Sequence, residues 1–228
     1  MHSEVTRITR DIAARSRTLR DQYRRDMDLM AAEPVHRSQL SCGNLAHGVA
    51  SCGSDDKSLI KMMDSANIGI VTASHQMFDA VLMLGICDKI VPGLVMGALQ
   101  FGHLPTLFVP AGPMTSGLSN KEKVRVRQLY AEGKVDRAAL LDAEMASYHS
   151  KGTCTFYGTA NSNQMVLEAM GLQLPGSSFI NPDTPLREAL TASAAEHVAK
   201  IARTGRAPMP MADVIDERSL VNGIVALL

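Results

Sequence analysis

Three short apolar runs, at residues 67–72, 79–87 and 106–110, constrain the fold of this chain more than any other feature. Each is of strand type and strand length. Between the second and third, residues 91–102 read as a helix. Strand, helix, strand in that order predicts a βαβ unit and a parallel sheet, so the class is α/β, a mostly parallel sheet flanked by helices. Upstream, residues 3–32 read as one helix. Val5, Ile8, Ile12, Leu19, Tyr23, Met27 and Met30 recur at helical spacing, with Arg and Asp between them, and Pro34 ends the run. Residues 35–57, rich in Ser, Gly, Cys and His, have no period and read as an ordered loop; 57–64 read as a short helix.

Beyond residue 118 the pattern is mostly helical. Helices are expected at 120–132 and 136–147, split by Gly133, at 161–170, stopped by Gly171, and at 185–203. Residues 204–210 look like a linker. The run 220–228 is apolar to its last residue, an uncapped ending that reads as truncation. The expected division is a helix plus polar loop over 1–56 and an α/β core with helices over 57–228.

Composition excludes several classes. With 23 basic and 23 acidic side chains there is no net charge to hold a polyanion, and Trp is absent. Nucleic acid is therefore not an expected partner. The apolar fraction of 46% supplies a core, and the 14 Met read as filler within it. The apolar stretches are too short to cross a bilayer. The N-terminus is charged and amphipathic rather than a secretory signal, so a cytoplasmic location is expected. Cys42, Cys52, Cys87 and Cys154 lie far apart with no C-x-x-C pair, so neither disulfides nor a metal site follows from spacing.

Three loops carry reactive groups. Cys87-Asp88-Lys89 directly follows an apolar strand, where ligands gather in open α/β sheets. Thiolate, carboxylate and amine together suit a metal or cluster, although a lone Cys at a strand end is more often a small buried hydrophobe. Cys154 lies in a Gly/Thr-rich loop that feeds the helix near Asn161. A helix N-terminus stabilises a thiolate, although a buried thiol in a capped turn explains the same residues. Residues 111–123 form another loop that opens a helix. Ser119 or Asn120 is the expected cap, and Lys121, Lys123, Arg125 and Arg127 add positive charge. Free N–H groups and lysines suit an anion, and a solvated basic helix start is the plainer reading. No G-x-G-x-x-G or P-loop is present to indicate a nucleotide.

Taken together the blocks resemble one family. Val35-His36-Arg37-Ser38-Gln39-Leu40 followed by Cys42-Gly43-Asn44-Leu45-Ala46-His47-Gly48 is similar to the N-terminal signature of the phosphogluconate branch of the dihydroxy-acid/6-phosphogluconate dehydratases. Gly85-Ile86-Cys87-Asp88-Lys89-Ile90-Val91-Pro92-Gly93 is similar to the cysteine motif of the wider family. Residues 108–114 and 152–163 match two further blocks, and Ser119-Asn120-Lys121-Glu122-Lys123 with 172–181 point to the phosphogluconate branch.

The resemblance implies a hydro-lyase of the Entner–Doudoroff route of gluconate use. Water is lost from 6-phospho-D-gluconate to give 2-dehydro-3-deoxy-6-phosphogluconate. It implies a [4Fe–4S] cluster whose open iron acts as a Lewis acid on the leaving C3 hydroxyl while a base takes the C2 proton. It assigns Cys87 and Cys154 as cluster thiolates, Asp88 and Lys89 to positions that help hold Mg2+ in dihydroxy-acid dehydratases, and dimers to the intact relatives. Arg37, Asn120, Lys121 and Lys123 lie in branch-specific blocks and are expected to receive the 6-phosphate.

Two departures stand out. Val71-Thr72-Ala73 runs straight into Ser74-His75-Gln76, where relatives carry a long segment with a Cys-Asp-Gly motif. Relatives also continue past a segment like 221–228 into a C-terminal domain that supplies the base. A cluster with one open iron needs about three cysteines, and two recognised ones remain. The expectation is a dehydratase by family, corresponding to an incomplete N-terminal domain and inactive as this fragment. The alternative is a non-catalytic remnant that binds sugar phosphate or a full-length subunit.

Overall fold

The computed structural model describes residues 2–32, 68–70, 78–86, 89–115, 117–147, 150–154, 157–203 and 209–228. The expected helix at 57–64, the loop 35–57, and Arg37, Cys42, Cys52, Cys87 and Asp88 lie outside the described residues.

Strands β1 (Ile68–Ile70), β2 (Ala80–Met83) and β3 (Thr106–Phe108) form a parallel sheet in the order β1-β2-β3. Ile68 pairs with Ala80, and Val81 with Thr106. Helix α2 (Ile90–Gln100) is the crossover between β2 and β3, so the expected βαβ unit is present. Strands β2 and β3 are shorter than their apolar runs. β2 stops at Met83, leaving Leu84 and Ile86 exposed, because pairing ends where the chain turns away toward α2.

Both faces of the sheet are covered, which is why its strands read as nearly continuous apolar runs. On one face Phe108 joins Val91 and Ala98 of α2, Leu167 of α5 (Ser162–Ala169), Leu172, and Met211 of α7 (Met211–Val214). On the other, Ala80, Leu82, Leu107 and Val109 meet Ala194 and Val198 of α6 (Pro185–Arg203). Side chains along β2 and β3 alternate between these two cores, as the strand period requires.

Helices α3 (Asn120–Ala131) and α4 (Arg137–Ser147) form a hairpin around Gly133, whose φ is +70°. Helix α8 (Glu217–Leu227) starts earlier than its apolar run because Asp216 and Ser219 form a reciprocal capping box. It packs on α5, where Gly223 lets Met170 and Val166 approach.

Helix α1 (Ser3–Ala32) agrees with the expected span, but its apolar stripe does not all point inward. Met27 is buried, whereas Leu19 is 74% exposed. The docked face is partly polar. The Ser16 hydroxyl donates to Glu217 at 2.6 Å, Arg20 donates to Ala212 O at 3.2 Å, and Tyr23 Oη donates to Leu99 O at 2.9 Å. Among the described residues no helix is long and apolar enough to cross a membrane.

Candidate functional site at the carboxyl ends of the strands

The chain leaving β3 is clamped from three sides. Gly112 O accepts from Thr153 N at 2.8 Å, and Met114 N donates to Cys154 O at 3.2 Å. These two bonds hold the Cys154 loop beside the post-β3 loop, the two segments running in the same direction. The packing around them needs glycine at two points. At Gly152, with φ of +132°, a Cβ would sit 2.6 Å from Met114 N; at Gly112, with φ of +87°, it would sit 1.8 Å from Ile180 O. From the third side, Asn181 Nδ2 donates to Pro113 O at 2.8 Å, and Arg187 Nη1 donates to Pro110 O at 3.0 Å.

Arg187 is buried and its guanidinium is spent on carbonyl oxygens. Besides Pro110 O, it bonds Ile180 O through Nε and Nη2 and Ser177 O through Nη2. Burial pushes its pKa down from the usual guanidinium value.

Cys154 is half buried at this crossing, beside the carboxyl ends of the strands. Its carbonyl also accepts from Asn161 Nδ2 at 2.8 Å. Asn161 therefore does not cap the helix with its side chain. It ends a π-helical turn (Tyr157–Asn161), has helical φ and ψ, makes no capping bond to α5, and turns its amide back to Cys154.

One turn further along, Gln164 reaches the other strand end. Its Nε2 donates to Gly85 O at 2.9 Å, and Gly85 stands two residues before Cys87. Gln164 Oε1 accepts from Gln173 Nε2 at 2.8 Å. Glu168 closes the far side, accepting from Gly176 N at 2.6 Å, Ser178 N at 2.9 Å and the Ser178 hydroxyl at 2.6 Å. Burial works to raise the Glu168 pKa, but the Ser178 hydroxyl and the backbone N–H groups of Gly176, Ser178 and Ser177 outweigh it and hold the carboxyl below its usual value. None of Gln164, Gln173, Glu168 or Arg187 was singled out by motif or spacing. The available signal was weak: polar residues where helix α5 turns toward the core.

The expected site residues separate into groups. Lys89 is exposed at the start of α2. Asn120 and Lys121 are exposed in the first turn of α3, where Ser119, not Asn120, is the cap and accepts from Glu122 N at 3.3 Å. Lys123 is 8% exposed. Its positive field reaches Glu144, which Arg127 already binds at 2.7 and 3.0 Å. Arg125 is taken by Glu122.

The α3–α4 hairpin springs from the site itself, because Thr115 Oγ1 and the Ser150 hydroxyl, at its two ends, lie 2.8 Å apart. Asn120 is six residues from Met114, so it lies within about 20 Å of it at full extension.

Beside Cys154, Thr153 Oγ1 is buried with no hydrogen-bonding partner among the described residues. Among the described residues no three His, Cys, Asp or Glu side chains come together as a metal site. Cys154 is the one expected cluster thiolate that lies within them.

Residues 52–228 match the family model described as dihydroxy-acid/6-phosphogluconate dehydratase N-terminal. The phosphogluconate dehydratase of Escherichia coli K12 is 48% identical over 295 aligned positions, covering 100% of this chain and 49% of the relative. That of Pseudomonas aeruginosa PAO1 is 44% identical, covering 100% and 48%. A dihydroxy-acid dehydratase of Sulfurimonas denitrificans is 34% identical over 167 positions, covering 70% and 29%. The chain spans about half the length of the first two relatives. Both of their alignments are longer than its 228 residues, so they carry tens of residues with no counterpart here.

Proposed function

This chain belongs to the dihydroxy-acid/6-phosphogluconate dehydratase family, and on that premise we propose that it forms the thiolate-bearing wall of a hydro-lyase site. The substrate is 6-phospho-D-gluconate and the product 2-dehydro-3-deoxy-6-phosphogluconate. The observation that carries this reading is the shared anchoring of two loops. Asn161 holds Cys154 O, and Gln164, three residues on, holds Gly85 O at the approach to Cys87. Such spacing places two side chains on one helical face, about 5–6 Å apart at Cβ.

In this reading Cys87 and Cys154 hold a [4Fe–4S] cluster, with Asp88 and Lys89 beside it for Mg2+. The cluster, when bound, supplies a Lewis-acidic iron for the leaving hydroxyl. The chain's own residues orient and bind. Lys123, with exposed Asn120 and Lys121 in the same turn, offers the positive charge and donors that a phosphate dianion needs. Arg37 belongs to the same anion-binding set by its block. The residues form one N-terminal dehydratase domain, cytoplasmic in the cell, that pairs as a homodimer when intact.

Two recognised thiolates fall short of the roughly three that leave one iron open. The 228 residues by themselves are therefore expected to bind iron poorly and not to turn substrate over. The test is anaerobic reconstitution of the purified chain with iron and sulfide, followed by assay for the 2-keto product. Release of product refutes the inactivity. Tight 6-phosphogluconate binding with no retained iron favours a second reading, a sugar-phosphate-binding remnant.

A further inference from the structure

Helix α1 lies ahead of residues 52–228, the stretch that matches the family domain, and polar contacts do most of the fastening. A helix on a compact domain is ordinarily held by an apolar stripe. Over 30 residues α1 buries Met27 alone. Its charge complements its seat. Seven Arg and five acidic residues leave 3–32 at +2, while three acidic residues and one Arg leave 211–218 at −2.

The contacts converge on one carboxylate. Glu217, the first residue of α8, accepts from the Ser16 hydroxyl at 2.6 Å and faces Arg20 Nε at 3.9 Å. The side chains of Arg20 and Glu217 are 19% and 15% exposed. The Ser16 hydroxyl first, and then Arg20 and Arg24, hold the Glu217 carboxyl below its usual value against the opposing effect of burial. Around it stand Asp213 of α7, which Arg24 binds at 2.9 Å, Asp216 and Arg218 beside it in the chain, and Arg10 across the cleft. Arg20 also donates to Ala212 O at 3.2 Å and Tyr23 Oη to Leu99 O at 2.9 Å. Tyr23 and Met27 fill the hollow over Gly102, where a Cβ would collide with Tyr23 Oη. Helix α1 therefore bridges the far end of α2 and the starts of α7 and α8.

We infer that α1 is a charge-latched clasp, which opens from α7 and α8 as one unit while the sheet and the helices around it stay folded. Because Met27 is its one buried residue, opening exposes little apolar surface, and α1 falls at the low-stability end of the molecule. The resistance to opening is electrostatic and is concentrated in Glu217 and Asp213. Removing either charge shifts the clasp toward its open form. Salt does the same through the Arg24–Asp213 pair, whose side chains are half exposed and so open to screening.

The test is hydrogen–deuterium exchange of the full chain, read by mass spectrometry on peptides from 3–32 and from α2, α5 and α6. In the parent, α1 is expected to exchange faster than those three helices, and faster at high salt than at low salt. Glu217→Gln keeps the shape of the side chain and removes its charge. It is expected to speed exchange of α1 about tenfold, the scale for hydrogen bonds to a charged group, and to leave α2, α5 and α6 unchanged. Asp213→Asn should act in the same direction, and the double variant should lose the salt response. Met27→Ala, which loosens α1 without touching a charge, should speed exchange and keep the salt response.

Exchange of α1 at the rate of the core helices would mean that it opens only when the whole molecule unfolds, and overturns the inference. Parent-like α1 exchange in both Glu217→Gln and Asp213→Asn would mean an apolar latch and overturns it as well. The salt response of the parent needs no variant, so α1 exchange indifferent to salt refutes the inference even where a variant does not fold.

Discussion

Arg187 offers the sharpest test of how the site is held. Its guanidinium donates to Pro110 O, Ile180 O and Ser177 O, bringing the post-β3 loop, the 177–181 loop and α6 to one point. Arg187→Ala removes the donors and leaves three carbonyl oxygens facing a hole. A hydrogen bond from a charged donor contributes about 1.5–3 kcal/mol. Some of that is offset, because burial already disfavours the charge, as the lowered pKa indicates. Water entering the hole restores part of the rest. The net loss is expected at about 3–5 kcal/mol, the scale for breaking a buried charged network.

For a chain of this length that corresponds to a fall in Tm of about 6–20 °C. Urea and thermal unfolding followed by far-ultraviolet circular dichroism would measure it. Arg187→Lys keeps the charge but lacks the planar fork, so about half the loss is expected. Labelling of the Cys154 thiol should speed up in Arg187→Ala, since the loop it pairs with is released. A loss under about 1 kcal/mol, with unchanged labelling, would refute the argument and show that the carbonyls are as well served by water.

Two other outcomes follow from the same geometry. Gly152→Ala combines a φ of +132° with a Cβ placed 2.6 Å from Met114 N, so a cost of about 2–4 kcal/mol is expected. Gly133→Ala, with φ of +70° and open space, should cost about 1–2 kcal/mol, and equal costs in urea titrations would sink the contact argument. At Glu168 the folded-state pKa is depressed, so its contribution is complete above the unfolded value of roughly 4.3 and is lost as pH falls through the lower folded value. The stability gap between the parent and Glu168→Gln should therefore shrink as pH falls below the unfolded value; a constant gap would contradict the hydrogen-bond account.

The order of elements was legible because apolar periodicity is a local property. Helix α6 and the full span of α1 agree with the sequence reading, and so does the β2-α2-β3 crossover. Gly133 and Gly171, where helices were expected to stop, both have positive φ. Local signals failed where partners are distant. Leu19 fits the helical stripe of α1, but the docked face is set by Glu217 and Ala212, about two hundred residues away, so Leu19 stays in solvent. Helix α7 is too short to show a period. Its Met211 is fully buried because β3, α2 and α5 converge on it.

The same division holds for the candidate site. Residue types alone marked Cys154, Lys89 and the Asn120–Lys123 turn, since thiol and ammonium chemistry is visible in a one-letter string. The residues that hold the place together were not visible in that way. Gln164, Gln173, Asn181 and Arg187 act through bonds to backbone carbonyls and side-chain amides, and a carbonyl is present at every position. Which one a buried amide or guanidinium meets is decided when the parallel sheet brings the ends of β2 and β3 side by side and α5 crosses them. Local sequence thus determined the elements and their chemistry, and long-range packing alone decided which backbone groups are locked against which side chains.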